Sequence, residues 1–249
     1  MNPAEFANIA VSEQRFWWYR GMRQILFAML DPLVAKRHLT RALDAGCGTG
    51  YFAKLVEQRY EIPAVAVDYE WDGLMHGRRM GLRRLSRCDV RRLPFADATF
   101  DLVFSMDVLV HFDRGNELDA MRDMVRVLSP SGLIAIRVAA FDALRSRHSQ
   151  FAHERQRFTR ASLKALAQQA GLRVLRCSYA NALLAPIALA KFRVWEPLTG
   201  QAPASGVVPV SGWLDRALHA PLAAESKWLG GGRDLPFGQS LILIADRLA

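Results

Sequence analysis

Leu43-Asp44-Ala45-Gly46-Cys47-Gly48-Thr49-Gly50 is the stretch on which the fold turns. It follows a short strand-like segment, Arg41 to Leu43, and precedes a helical one, Tyr51 to Arg59. Glycines at alternate positions permit a backbone turn that side chains would block, and a branched side chain at Gly46 would fill a ligand's approach. The dinucleotide fingerprint ends in Gly-x-x-Gly, whose wider turn cups a pyrophosphate. Here Gly48 and Gly50 are two apart, and Asp44 precedes the loop. An acid at that place repels a phosphate and suits a cationic or amine-bearing ligand.

Outward from the loop, strands and helices alternate. Ala64-Val65-Ala66-Val67-Asp68 is an apolar run ending in an acid, a strand buried on both faces. Leu85 to Cys88, ending near Asp89, Phe100 to Met106, and Leu133 to Val138 give three more strands. Glu117 to Leu128 has amphipathic helical spacing, and Ser129-Pro130-Ser131-Gly132 is a turn by composition. Thr159 caps a helix from Arg160 to Ala170, closed by Gly171. Leu172 to Tyr179 and Gln239 to Asp246 are the last two strands. Residues 1–38 read as helices, with Pro32 interrupting the second. The alternation predicts an α/β fold, a doubly wound, seven-stranded, mostly parallel sheet. Residues 181–238 are too long for an ordinary connection and read as an insertion before the last strand.

In such sheets ligands bind beyond the carboxyl ends of the strands. The glycine loop, Asp68, Asp89 and Ser105-Met106-Asp107 stand at four successive ends. An acid after the second strand accepts both hydroxyls of a ribose. Asp89 with the Val90 N–H can receive an adenine amine and donate to a ring nitrogen. Together they outline a nucleoside site with no phosphate.

At this point the chain resembles the class I S-adenosylmethionine-dependent methyltransferases of the bacterial small-molecule, type 11-like kind. The resemblance rests on residues 43–50, Val67-Asp68, Cys88-Asp89-Val90, Leu93 to Asp101, Val108 to His111, and Arg126 to Gly132, in order and at proper intervals. It implies the Rossmann-like methyltransferase fold and S-adenosyl-L-methionine as cofactor. Asp44, Gly46, Cys47 and Gly48 would line the methionine moiety, Asp68 with Tyr69 would flank the ribose, and Asp89 and Val90 would read the adenine. Met106 and His111 would pack nearby. Trp17-Trp18-Tyr19-Arg20 resembles a segment that closes over the cofactor, with Tyr19 and Arg23 reaching its carboxylate. The chain departs from the family at Val110, where an acid is common, and at Ser131, where glycine is usual.

Methyl transfer is an in-line displacement for which the cofactor carries the activation. A base is needed only for an acceptor that arrives protonated. His111 is the first candidate by location, and His148 and His153 follow. The expected acceptor is a small, apolar organic molecule methylated on oxygen, nitrogen or sulfur, set by residues 1–30, 141–160 and 181–238. An acceptor of RNA or protein is the alternative, and a non-catalytic cofactor-binding scaffold is a third reading.

The 249 residues are about half apolar, enough for a sizeable core. The chain divides by this reading into a helical lid (1–38), a cofactor-binding core (39–180), a substrate cap (181–238) and a last core strand (239–249). The net charge of +9 invites a nucleic-acid partner. The arginines are spread, however, and only Arg78 to Arg92 cluster, so nucleic acid is not expected. Cys47, Cys88 and Cys177 have no metal-ligand spacing, and neither a metal nor a disulfide framework is expected. No transmembrane run and no signal-type leader are read, which predicts a cytoplasmic protein. The insertion suits a lid, a substrate wall or a homodimer surface.

Overall fold

A computed structural model describes residues 2–200, 202–208 and 210–248. Seven strands form one sheet: β1 (Ala42–Ala45), β2 (Ala64–Asp68), β3 (Leu85–Arg87), β4 (Phe100–Met106), β5 (Leu128–Ala139), β6 (Leu172–Ala180) and β7 (Ser240–Arg247). Their spatial order is β3-β2-β1-β4-β5-β7-β6. The first five are parallel, and β7 runs antiparallel between β5 and β6. The strand order reverses at β1 and β4, so the crevice that binds ligands in such sheets opens beside the glycine loop.

Alternation along the strands divides the core into two layers. On one face Leu43, Val103, Ile134 and Leu243 meet α5 (Glu117–Val127) and α7 (Arg160–Gln169). On the other face Ala42, Ala66, Leu102, Phe104, Ala135 and Ile242 meet four further helices. These are α2 (Trp17–Val34), α3 (Tyr51–Tyr60), α4 (Trp71–Arg79) and α10 (Gly212–Gly230). Shorter helices are α1 (Pro3–Ser12), α6 (Arg147–Phe151), α8 (Ala185–Ala190) and α9 (Glu196–Thr199).

Three expectations change. Pro32 does not interrupt α2, which runs on to Val34. Proline in a last turn removes one N–H without stopping the turn that follows. Ser129–Gly132 is not a turn between elements but a bulge within β5. Leu128 pairs with Phe100 and Leu133 with Leu102, so four residues on β5 oppose Asp101 alone. The Ser129 hydroxyl donates to Asp101 Oδ1 at 3.0 Å and holds the bulge down.

The third change concerns the chain's ends. Met22, Ile25, Leu26, Met29 and Leu30 are fully buried, so α2 is part of the core, while Phe6 of α1 lies over the glycine loop. The stretch 181–238 is likewise not one cap. Leu222 and Leu229 of α10 are fully buried beside α2. A Cβ at Gly21 would lie 2.4 Å from Leu222 Cδ1, which measures how closely the two helices approach. Asp215 of α10 accepts from the Trp17 N–H at 2.9 Å and from Arg20 at 2.6 Å. It thereby satisfies an N-terminal donor of α2 that local sequence leaves open.

Candidate functional site

The glycine loop is built as its spacing predicts. Gly46, Gly48 and Gly50 have φ of 84°, 58° and 76°. The N–H groups of Gly46 and Cys47 both donate to Val67 O, at 2.8 and 2.9 Å, pinning the loop to β2. The sequence reading missed the second support. Gly73 and Gly77, one turn apart on α4, lie against Gly48 O and Thr49 O. A Cβ there would approach those carbonyl oxygens to 2.4 and 2.7 Å. Two glycines four apart in a helix were the signal, since glycine inside a helix costs stability unless close approach requires it.

Asp44 is the last residue but one of β1 and is buried. Burial and the neighbouring Asp68 raise its pKa to about 7, while the Ala53 N–H in the first turn of α3 opposes the shift. Its Oδ2 has no hydrogen-bond partner. A buried carboxylate oxygen without a donor is costly, and an ammonium group would satisfy it.

Asp68 ends β2 with both oxygens engaged. Oδ2 accepts from the Gly48 N–H at 2.7 Å and Oδ1 from the Glu70 N–H at 2.8 Å. Each oxygen keeps a further lone pair for a ribose hydroxyl. Asp68 therefore staples β2 to the glycine loop as well as facing the crevice. Asp68→Ala is expected to weaken cofactor binding by about 2 kcal/mol, the scale of one lost charge-assisted hydrogen bond. Calorimetry with the demethylated cofactor checks this, and an unchanged dissociation constant would misplace the ribose. Tyr69 is exposed, with the Arg87 guanidinium 5.5 Å from its ring centroid.

Asp89 and Val90 follow β3. The Val90 N–H donates to no protein group among the described residues, as an adenine reader requires. The Asp89 carboxylate is already held by Arg91, whose Nη2 donates at 2.5 Å, and this pairing depresses its pKa. An adenine amine must share Asp89 with Arg91 or displace it.

Arg23 was expected to reach the cofactor carboxylate. It instead donates to the Glu13 and Gln14 carbonyls in the α1–α2 turn, with its guanidinium 5.2 Å from the Tyr51 ring centroid. Glu13 accepts from the Thr49 hydroxyl and ties that turn to the glycine loop. Burial lifts the Glu13 pKa to about 7. No sequence pattern marked Glu13. Cys47 is buried with its thiol pushed well up, and Met106 is half-buried against the α2 layer.

Beyond β4 and β5 the lining is polar, unlike the apolar wall expected from composition. Arg137, a lone charge in an apolar strand, donates to Asp107 Oδ2 from Nε at 3.0 Å and from Nη2 at 2.5 Å. Its guanidinium lies 4.9 Å from the Trp18 ring centroid. Asp107 itself has φ of 59°, a strained value for a residue with a side chain. The Tyr19 phenol sits in the field of Glu5, Arg137 and Asp107, and burial pushes its pKa up. Glu5 is buried and accepts from Ser205 at 3.0 Å.

His111 lies on a short turn, Leu109–His111, with Nδ1 3.3 Å from His153 O. That contact requires a proton on Nδ1 and leaves Nε2 as the basic nitrogen. Burial lowers its pKa. His148 Nδ1 accepts from the Gly206 N–H at 3.0 Å and lies 3.8 Å from Glu5 Oε1. Val110 is buried in the core. Among the described residues no group of three or more His, Cys, Asp or Glu is placed to hold a metal.

Residues 43–136 match the methyltransferase domain family. A human protein named probable tRNA methyltransferase 9B is 35% identical over 106 residues, 42% of this chain and 22% of that one. A Mycobacterium tuberculosis protein named probable S-adenosylmethionine-dependent methyltransferase Rv3030 is 31% identical over 121 residues, 48% of this chain and 42% of that one. The chain thus spans less than half the length of these curated relatives. The crystal structure of an S-adenosylmethionine-dependent methyltransferase from Archaeoglobus fulgidus shares the fold. Its TM-score is 0.56 at 20% identity, with 94% of this chain and 97% of that chain covered. Residues 43–136 thus carry a methyltransferase domain, and the fold around them is shared with S-adenosylmethionine-dependent methyltransferases. S-adenosyl-L-methionine is its cofactor, and the unpartnered Asp44 oxygen, the glycine loop and the free Val90 N–H fit that molecule.

Proposed function

We propose that this chain transfers a methyl group from S-adenosylmethionine to an oxygen, nitrogen or sulfur of a small organic acceptor. The observation that carries the reading is the unpartnered, buried Oδ2 of Asp44 beside the glycine loop. When bound, the cofactor supplies an activated methyl group, and the protein's own work is positioning and exclusion of water. Asp44 holds the amino group, Asp68 the ribose, and Asp89 with Val90 the adenine. Tyr19, Trp18, Arg137 and Asp107 wall the acceptor side, and α1 serves as the lid. The part of the cap that faces this side is Ser205-Gly206, which meets Glu5 and His148. An acceptor with an apolar body and a polar reacting end suits aromatic rings beside a paired Arg137 and Asp107.

His111 serves as base for an acceptor that arrives protonated. His111→Asn is expected to lower kcat by about 10²-fold on such an acceptor. Its depressed pKa keeps the ring neutral below the ordinary imidazole value of 6.5, so the acid limb of the rate profile falls below that pH and vanishes in the variant. A variant with an unchanged profile would remove His111 from catalysis. The reading as a whole is tested by calorimetry with S-adenosylmethionine and turnover on phenols, amines, thiols and carboxylates. Absence of cofactor binding overturns it, and binding without turnover favours the non-catalytic scaffold.

One observation favours RNA as acceptor. A groove of about 760 Å³ beside Asp89 is lined by Arg91, Arg92, Arg122 and Arg126 with three aspartates. Arg91 and Arg126 are already paired with Asp89, Asp97 and Asp123, which leaves Arg92 and Arg122 to meet a phosphate backbone. Salt-sensitive retention of RNA would support that alternative.

A further inference from the structure

More than half of the exposed large apolar side chains among the described residues fall between positions 183 and 213. Most belong to one continuous helical segment: α8, a single π turn at Lys191–Trp195, and α9. Leu183 stands in the turn before α8, and Ile187, Val194 and Leu198 recur at intervals of seven and four residues, which places these three on one face of the helix. The exposures of the four are 58%, 66%, 57% and 79%, and Trp195 beside them is 63% exposed. The opposite side carries two polar anchors beside Ala185 and Phe192. Glu196 accepts from the Arg147 N–H at 2.8 Å, and Arg193 Nε donates to Ala143 O at 2.7 Å. The helix is thus held by these polar groups together with the buried Ala185 and half-buried Phe192, and it still turns an apolar stripe to solvent.

We propose that this stripe docks on an anionic lipid surface. An interfacial helix combines an apolar face, flanking Lys or Arg, and Trp at the boundary. Lys191 falls inside the stripe's arc, where its stem can lie along apolar surface while the ammonium reaches a headgroup. The charges around it are complementary to such a surface. The helix and the segment beneath carry Lys191, Arg193, Arg145 and Arg147 against Glu196 and Asp142. Glu196 is turned inward, and Asp142 is paired with Arg114 and Arg145. A second copy of the chain fits less well, because the centres of protein interfaces are depleted in lysine. No helix among the described residues is long and apolar enough to cross a bilayer, so the helix lies on the surface. It adjoins the segment bearing His148, which brings the proposed acceptor side to the lipid.

The test is co-sedimentation of the full chain with phosphatidylcholine vesicles and with vesicles that also contain phosphatidylglycerol. Retention on the second kind, weakened by salt, is expected. Ile187→Ser with Leu198→Ser should cut that retention by about tenfold or more. Lys191→Glu with Arg193→Glu should do the same on anionic vesicles alone, by about tenfold or more. Both double variants must bind the demethylated cofactor as the parent does, which shows that they are folded. No retention on either vesicle overturns the proposal, as does retention unchanged in the serine variant. A dimer in sedimentation velocity that the serine variant dissolves, without lipid retention, overturns it in favour of a second copy.

Discussion

Gly46→Val is expected to abolish cofactor binding and to lower folding stability by about 3–5 kcal/mol. Two costs add. The backbone φ of 84° at Gly46 is strained for any residue with a Cβ, more so for a branched one. The Cβ would also lie 2.2 Å from Val108 Cγ2, well inside contact. The loop cannot retreat, because the N–H groups of Gly46 and Cys47 hold it to Val67 O. Val108 packs against the core at the end of β4 and has little room to yield. The penalty therefore comes first from a protein neighbour, where the sequence alone placed it in the ligand's path. The milder Gly46→Ala separates the costs. Combined with Val108→Ala it should recover the packing part and keep the strain. Urea midpoints and calorimetry check the series, and a parental midpoint for Gly46→Val would mean that the loop has another shape.

The parts legible in the sequence share a physical property. β1, β2 and β4 are apolar runs with Asp44, Asp68 and Asp107 at or beside their carboxyl ends, so hydrophobicity marked the strand and the acid marked its functional end. Thr159 and Gly171 bracketed α7 because cap chemistry is local. What escaped depends on distance along the chain. Asp215 satisfies the N-terminus of α2 from almost two hundred residues away, and nothing around Trp17 announces it. The Arg137–Asp107 pair joins two strands, and only the oddity of an arginine within Leu133 to Val138 hinted at a partner. Arg23 spends its donors on backbone carbonyls, a geometry no residue pattern encodes. The residues 181–238 misled because composition averages α10, buried against α2, with α8 and α9, which turn apolar groups outward.

Asp44→Asn is expected to make the cofactor-free protein more stable while weakening the cofactor by about 3 kcal/mol, two effects of opposite sign from one atom. The folded pKa of Asp44 is raised from 3.8 to about 7, so the native state binds a proton that the unfolded chain has already lost. Stability then falls as pH rises between those values, by an amount of order a few kcal/mol, and stays low above pH 7. Asparagine carries no charge and escapes that fall. Stability of the variant should therefore exceed that of the parent at pH 8, and the two should converge near pH 4. Cofactor binding runs the other way, since only the carboxylate attracts an ammonium group. Affinity of the parent should rise as pH climbs from about 6 to 8 and level off, while that of Asp44→Asn stays flat. Glu13, raised to about 7 by burial, also titrates in this window, so Glu13→Gln is the necessary control. If Glu13→Gln flattens the affinity profile and Asp44→Asn does not, the titrating group is the α1 turn and Asp44 has another role. A buried carboxylate that destabilises the empty protein is otherwise hard to account for. An ammonium partner supplied by the cofactor accounts for both the missing donor at Oδ2 and the acid's place ahead of the glycine loop.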